Sequence, residues 1–179
     1  DADEITAEQR KRAKAVNFGI LYGMGEYSLS EDLGISMAHA KKYIASYLSG
    51  FPNVKEYLDN IKKSAKNDGF VTTLFGRKRK IAELSSSNKN LQHFGERVAM
   101  NSPIQGTAAD IIKIAMINAS NALKDAKIDA KIILQVHDEL IVESHKDCSD
   151  EAYEILKNAM ENAIKLSVPL DVEAHVGEN

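Results

Sequence analysis

The sequence predicts an α+β protein, with a mainly helical first part and a second part in which an antiparallel β-sheet is backed by helices. Three observations carry this reading. Apolar residues recur at helical spacing over most of the chain. Two β-rich apolar runs, Ala130 to Val136 and Glu139 to Glu143, are separated only by His137-Asp138, as strands of a hairpin are. Between the two parts lies Ser85-Ser86-Ser87-Asn88, polar and flanked by periodic segments. It marks the expected boundary between a domain over residues 1–90 and one over residues 91–179.

The first element is a helix over about residues 7–23. Thr6 and Gln9 have the spacing of a capping box, and Gly23 suits the left-handed cap that ends a helix. Within it Arg10, Lys14, Phe18 and Tyr22 recur every fourth residue. Each is turned about 40° from the last, so the four form one stripe roughly 18 Å long. Two cations at one end and two aromatics at the other suit a ligand with an anionic tail and a planar head, such as a nucleoside triphosphate. The same pattern also describes an ordinary amphipathic helix with a solvated basic face and a buried aromatic one.

Glu26 to Leu33 reads as a short helix punctuated by Gly34. Ser36 is the expected N-cap of a helix through Leu48, closed by Gly50. Pro52 suits the first turn of the next, which Asp68-Gly69 stops. Tyr43, Tyr47 and Tyr57 on these helices read as packing residues. Phe70 to Leu74 alternates weakly as a strand, Gly76 breaks it, and the basic run Arg77-Lys78-Arg79-Lys80 follows, either solvated or riding on a phosphate backbone.

Gln92 to about Leu123 reads as one long helix interrupted near Pro103, since proline removes a backbone donor and disfavours helix just before it. Arg97, Asn101 and Gln105 form a second stripe at four-residue spacing. Arg97 donates only, whereas the two amides donate and accept, which suits the acceptors shared by all base pairs in the minor groove. An exposed polar face fits the spacing equally. In the hairpin, His137-Asp138 occupies a turn that normally takes Asn-Gly or Asp-Gly, and a broken local rule points to a functional demand. A carboxylate held at a strand turn is what a divalent metal needs; a plain surface turn is the alternative. Ser149 is the expected cap of an amphipathic helix through Tyr153, Ile155, Leu156, Met160 and Ile164, and Val168 to Val176 reads as a last strand rejoining the sheet.

The 179 residues are 44% hydrophobic, enough to bury a core. No run is long and apolar enough to span a membrane, no secretory signal is visible, and the single Cys148 excludes an internal disulfide, so the cytoplasm is the default compartment. The net charge of -3 hides an asymmetry. Residues 1–100 carry 16 Lys+Arg against 12 Asp+Glu, a net +4, and residues 101–179 carry 7 against 14, a net -7. A basic part suits phosphate and an acidic part divalent metal, although two ordinary surfaces would be charged this way too.

Three motifs in order resemble family A DNA polymerases, the bacterial DNA polymerase I group, over essentially the whole chain. They are Arg10, Lys14, Phe18 and Tyr22-Gly23 with Asn17-Phe18-Gly19 inside; Arg97, Asn101, Pro103 and Gln105 through Asp110; and Gln135-Val136-His137-Asp138-Glu139. The resemblance implies residues 1–90 as most of a fingers subdomain and 91–179 as the C-terminal part of a palm. It implies that Arg10 and Lys14 hold the triphosphate, Phe18 packs on the incoming sugar and base, and Tyr22 stacks near the templating base. Lys11 stands where many members have a second arginine, keeping charge without the planar fork. Arg97, Asn101 and Gln105 are implied to contact the primer-template duplex, and His137 to lie near the primer terminus. Asp138 is implied as a catalytic metal ligand, with Glu139 either assisting the metal or positioning the primer.

The implied reaction adds deoxynucleotides to a primer 3′ hydroxyl and releases pyrophosphate, with two Mg²⁺ ions in the intact enzyme and Arg10 and Lys14 neutralising the leaving phosphates. The family's first palm motif, which carries the other catalytic aspartate, is expected upstream of Asp1, together with a thumb and any exonuclease. Asp138 alone is half of a two-metal site, so the chain by itself is expected to be inactive. The chain thus reads as an excised or processed fragment whose sheet has an unpaired edge. A single-subunit RNA polymerase shares Arg, Lys and Tyr-Gly on the helix but usually has Met in place of Phe18. A non-catalytic nucleic-acid-binding module has no need of Asp138.

Overall fold

The computed structural model describes residues 5–177. Its helices are α1 (Ala7–Leu21), α2 (Glu26–Leu33), α3 (Met37–Gly50), α4 (Pro52–Asp68), α5 (Lys89–Ala126) and α6 (Ser149–Glu161). The strands are β1 (Phe70–Thr72), β2 (Lys78–Lys80), β3 (Ala130–Val136) and β4 (Glu139–Ser144), which pair as two antiparallel two-stranded sheets, β1 with β2 and β3 with β4. This is the expected α+β class. The chain divides into two compact units, Asp1–Ile104 and Gln105–Asn179. The boundary expected between residues 90 and 91 falls inside the first of these units.

In the first unit, two apolar clusters set the helices. Val16 and Ile20 of α1, Leu29 of α2 and Ala40 of α3 form one, with Met24, Leu33, Ile44, Tyr47 and Leu48 packed around it. Ala65 of α4, Val71 of β1, Ile81, Leu84 and Ala99 of α5 form the other. The Thr6–Gln9 capping box is present in full, with Gln9 N–H donating to Thr6 Oγ1 at 3.2 Å and Thr6 N–H to Gln9 Oε1 at 2.8 Å. Ser36 caps α3 as expected. Gly50, expected to close α3, lies inside it. The break falls at Phe51, whose φ of -126° and ψ of 69° are non-helical because it precedes Pro52.

Arg77 to Lys80 is not merely a run beside a turn. Lys78, Arg79 and Lys80 form β2 and pair with Thr72, Val71 and Phe70. Thr73 holds the turn: its Oγ1 accepts from Phe75 N–H at 3.3 Å and from Arg77 N–H at 3.2 Å. The Lys78 ammonium lies 4.5 Å over the Phe70 ring. Of the three tyrosines read as packing residues, Tyr47 packs on the core, whereas Tyr43 is 54% and Tyr57 40% exposed.

The expected interruption of the long helix at Pro103 does not occur, and α5 runs unbroken through it for 38 residues. A proline inside a helix costs about 3 kcal/mol, because the i−4 carbonyl, here that of Ala99, loses its donor. Burial offsets this, since Ala99, Met100 and Ser102 are buried immediately before the proline. The Ser102 hydroxyl also donates to the Val98 carbonyl at 2.6 Å, reinforcing the adjacent turn.

In the second unit, Ile112, Ala115, Ala119 and Leu123 are the buried positions of α5, at helical spacing, and Leu140 of β4 and Ala152 of α6 are buried too. The hairpin register pairs Ala130 with Ser144 and Val136 with Glu139, with Ile133 as the extra residue of a bulge. Lys131 faces Glu143 and bonds it at 2.9 Å, which holds its ammonium above the usual lysine range. Ser149 is not a cap: it is the first residue of α6, after a 3₁₀ turn over Lys146–Cys148 that His145 caps by accepting from Asp147 N–H. Ile164 lies beyond the end of α6. Val168 to Val176 forms no strand, because the segment finds no ladder partner among the described residues and Pro169 cannot donate.

Candidate functional site

The stripe on α1 is assembled as its spacing predicts. The Lys14 ammonium sits 5.9 Å from the centroid of the Phe18 ring, and that ring lies 6.0 Å from Tyr22, tilted by 32°. Phe18 is 44% and Tyr22 41% exposed, so both offer ring surface outward while Val16, Gly19 and Ile20 bury the opposite face. Among the described residues neither Arg10 nor Lys14 pairs with a carboxylate; the ion pair of this helix is Arg12 with Glu8, at 2.6 Å. Two cations without counter-ions among the described residues, followed by two exposed rings, can take a polyanion and a planar group at once.

The end of α1 is closed by a Schellman motif. Gly23 N–H bonds the Ile20 carbonyl at 3.0 Å and Met24 N–H the Gly19 carbonyl at 2.8 Å, with Gly23 at φ +76°. Gly23 also lies against α5. A Cβ there would overlap the methyl of Met100 and come within 3.0 Å of Arg97 Cγ. The missing side chain therefore lets Arg97 of the second stripe lie beside the Tyr22 end of the first, and Arg97 in turn sits 5.8 Å over Phe94. Asn101 is half-buried on α5, and its Oδ1 has no hydrogen-bond partner among the described residues. Gln105 is exposed.

His137 and Asp138 form the two-residue turn between β3 and β4. His137 has φ +52°, and Asp138 is not among the positive-φ residues, so only the first central position takes the left-handed region that glycine normally fills. Gln135 Nε2 donates to the His137 carbonyl at 2.7 Å and steadies the loop. Leu140 anchors the start of β4 while Asp138 and Glu139 stay exposed. Among the described residues no group of three His, Cys, Asp or Glu could hold a metal ion. The donor chemistry nevertheless fits one vertex of a Mg²⁺ site, because Asp138 presents a hard carboxylate on a braced turn.

Sequence reasoning missed one contact. The Tyr47 phenol of α3 donates to Asn17 Oδ1 of α1 at 2.5 Å. No local pattern signals a bond across 30 residues; the Tyr47 ring also pairs with that of Phe51, 5.0 Å away.

A family-wide sequence profile for DNA polymerase family A matches residues 1–179. DNA polymerase I of Caldicellulosiruptor bescii is 52% identical over 179 residues, 100% of this chain and 21% of that protein. DNA polymerase I of Bacillus caldotenax is 47% identical over 175 residues, 98% of this chain and 20% of that protein. Among solved structures, the POL domain of Pol1 from M. smegmatis, in complex with DNA primer-template and dNTP, superposes with a TM-score of 0.91 at 43% identity. The match covers 96% of this chain and 30% of that one. The chain thus spans about a fifth of the length of the curated relatives it matches. Among the described residues no helix is long and apolar enough to cross a membrane.

Proposed function

Because this chain belongs to DNA polymerase family A, we propose that it supplies the nucleotide-binding fingers and the C-terminal palm of a DNA-directed DNA polymerase. The observation that carries the reading is the continuous ladder of Lys14, Phe18 and Tyr22 on one face of α1, with Arg10 above it and no counter-ion on either cation among the described residues.

Arg10 and Lys14 take the triphosphate of the incoming nucleotide. Their charge is already in place when the leaving pyrophosphate develops its own, so no reorganisation is needed in the transition state. Phe18 packs on the sugar and base and holds them in the attack geometry, and Tyr22 stacks at the templating position. Arg97, Asn101 and Gln105 contact the primer-template duplex at positions common to all base pairs, which tests pair shape without reading sequence. His137 lies at the primer terminus.

Asp138, with Glu139 beside it, would hold Mg²⁺, and the remaining ligands come from outside this chain. When bound, paired Mg²⁺ ions supply charge neutralisation at the attacking and leaving oxygens. The upstream palm and thumb are partners within the same polypeptide, and the bacterial cytoplasm, at the nucleoid, is where such an enzyme meets its template.

Single-nucleotide primer extension with Mg²⁺ tests the whole reading, comparing this chain with a polypeptide that adds the upstream palm and thumb. Extension by the longer polypeptide only is expected. Extension by this chain alone would require another of its carboxylates to replace the missing aspartate.

A further inference from the structure

The Tyr47–Asn17 hydrogen bond joins two helices at a position that the packing of α1 leaves undetermined. On an α-helix of 3.6 residues per turn, Val16, Gly19 and Ile20 span the buried face, and Arg10 through Tyr22 span the stripe. Asn17 lies between Ile20 and Arg10, about 60° from the first and 20° from the second when viewed down the axis. It therefore marks the border of the two faces. Apolar contacts resist separation of helices but are non-directional, so a small roll of α1 costs them little. A phenol bonded at 2.5 Å to that border residue is directional, and rolling α1 would break it.

Tyr47 itself is well held. Its ring packs on the cluster of Val16, Ile20, Leu29 and Ala40 and lies 5.0 Å from the Phe51 ring. Phe51 is in turn fixed at the α3–α4 corner by Pro52. The hydroxyl is thus presented from a rigid site, and it reaches the residue directly before Phe18.

We infer that Tyr47 is a positioning residue for nucleotide binding, fixing the roll of α1 through Asn17 so that Phe18 and Lys14 meet the incoming nucleotide together. The inference rests on the reading of the α1 stripe as a nucleotide site. The chemistry is that of a neutral hydrogen bond outside the ligand contacts, so its loss weakens alignment without removing any group that touches the nucleotide.

The test uses a full-length polymerase carrying this chain, with steady-state single-nucleotide incorporation and thermal melting measured for Tyr47→Phe, Asn17→Ala, the double variant and Arg10→Ala. Tyr47→Phe keeps the ring contacts and removes only the hydroxyl. It is expected to raise the KM for dNTP by about 3- to 10-fold, the scale of one lost hydrogen bond, with kcat within about twofold of the parent. Asn17→Ala is expected to match it, and the double variant to be no worse than either single one, because both remove the same bond. An unchanged KM for Tyr47→Phe, with Arg10→Ala raising it, overturns this inference and leaves the stripe intact. A KM raised additively in the double variant also overturns it, since the residues would then act separately. An Arg10→Ala variant with unchanged KM overturns the nucleotide reading of α1, and this inference with it.

Discussion

Gly23 and Met100 occupy adjoining space that a single added methyl group would fill twice. The Cβ of any other residue at 23 would overlap the Met100 side chain, which is only 6% exposed. The same glycine stands at φ +76° and closes the Schellman motif of α1. One position thus ends the stripe-bearing helix and sets how closely α5 passes it.

Gly23→Ala is therefore expected to destabilise the protein by about 1–2 kcal/mol from backbone strain alone, more if Met100 cannot yield. Urea unfolding checks this. In a Met100→Ala background most of the steric part should vanish, only the approach to Arg97 Cγ at 3.0 Å staying, and the backbone part remain. A penalty that disappears entirely would show that strain at residue 23 contributes nothing.

Phe18→Tyr changes the exposed ring that Lys14 and Tyr22 flank while keeping its packing. On the proposed reading it relaxes discrimination against dideoxynucleotides, because family members with tyrosine at this position accept them. The ratio of dNTP to ddNTP incorporation in the full-length enzyme measures it, and an unchanged ratio would remove Phe18 from the sugar-facing position.

Asp138→Ala is expected to lower kcat by about 10³-fold or more, the scale seen when a preorganised charge-stabilising group is removed. Primer-template affinity should stay nearly as it was, since a carboxylate contributes no attraction to anionic DNA. A variant that binds and still extends primers at the parental rate would take Asp138 out of the metal site.

His137 pays a conformational penalty at φ +52° that glycine would not. His137→Gly should therefore stabilise the hairpin by up to about 1 kcal/mol in thermal or chemical melting. If the imidazole serves the primer terminus, the same change raises the Kd for primer-template or lowers kcat. A gain in stability with no functional loss would make the histidine an accident of the turn.

Much of the fold was legible because its signals are local. The Thr6–Gln9 box, the Ser36 cap and Gly23 each act within a few residues, and each performs in the structure the role its spacing predicts. The Lys14–Phe18–Tyr22 ladder is legible for the same reason, since helix periodicity alone fixes which side chains share a face. The hairpin and its two-residue tip followed from the β-rich runs on either side.

The misreadings share the opposite cause. Pro103 carries a local signal to break α5, and burial of Ala99, Met100 and Ser102 outweighs it. Val168 to Val176 has a strand's composition, but a strand exists only where another offers a ladder. The run Arg77 to Lys80 read as either solvated or riding on a phosphate backbone, with no strand expected, and Lys78 to Lys80 form one because Phe70 to Thr72 stand opposite. The sequence alone determined the capping box of α1, the Ser36 cap of α3, the Gly23 end of α1 and the stripe of chemistry on α1, all set within a turn or two of chain. Only the tertiary structure decided that Met100 fills the space beside Gly23 and that Tyr47 reaches Asn17, because those contacts depend on how distant helices meet.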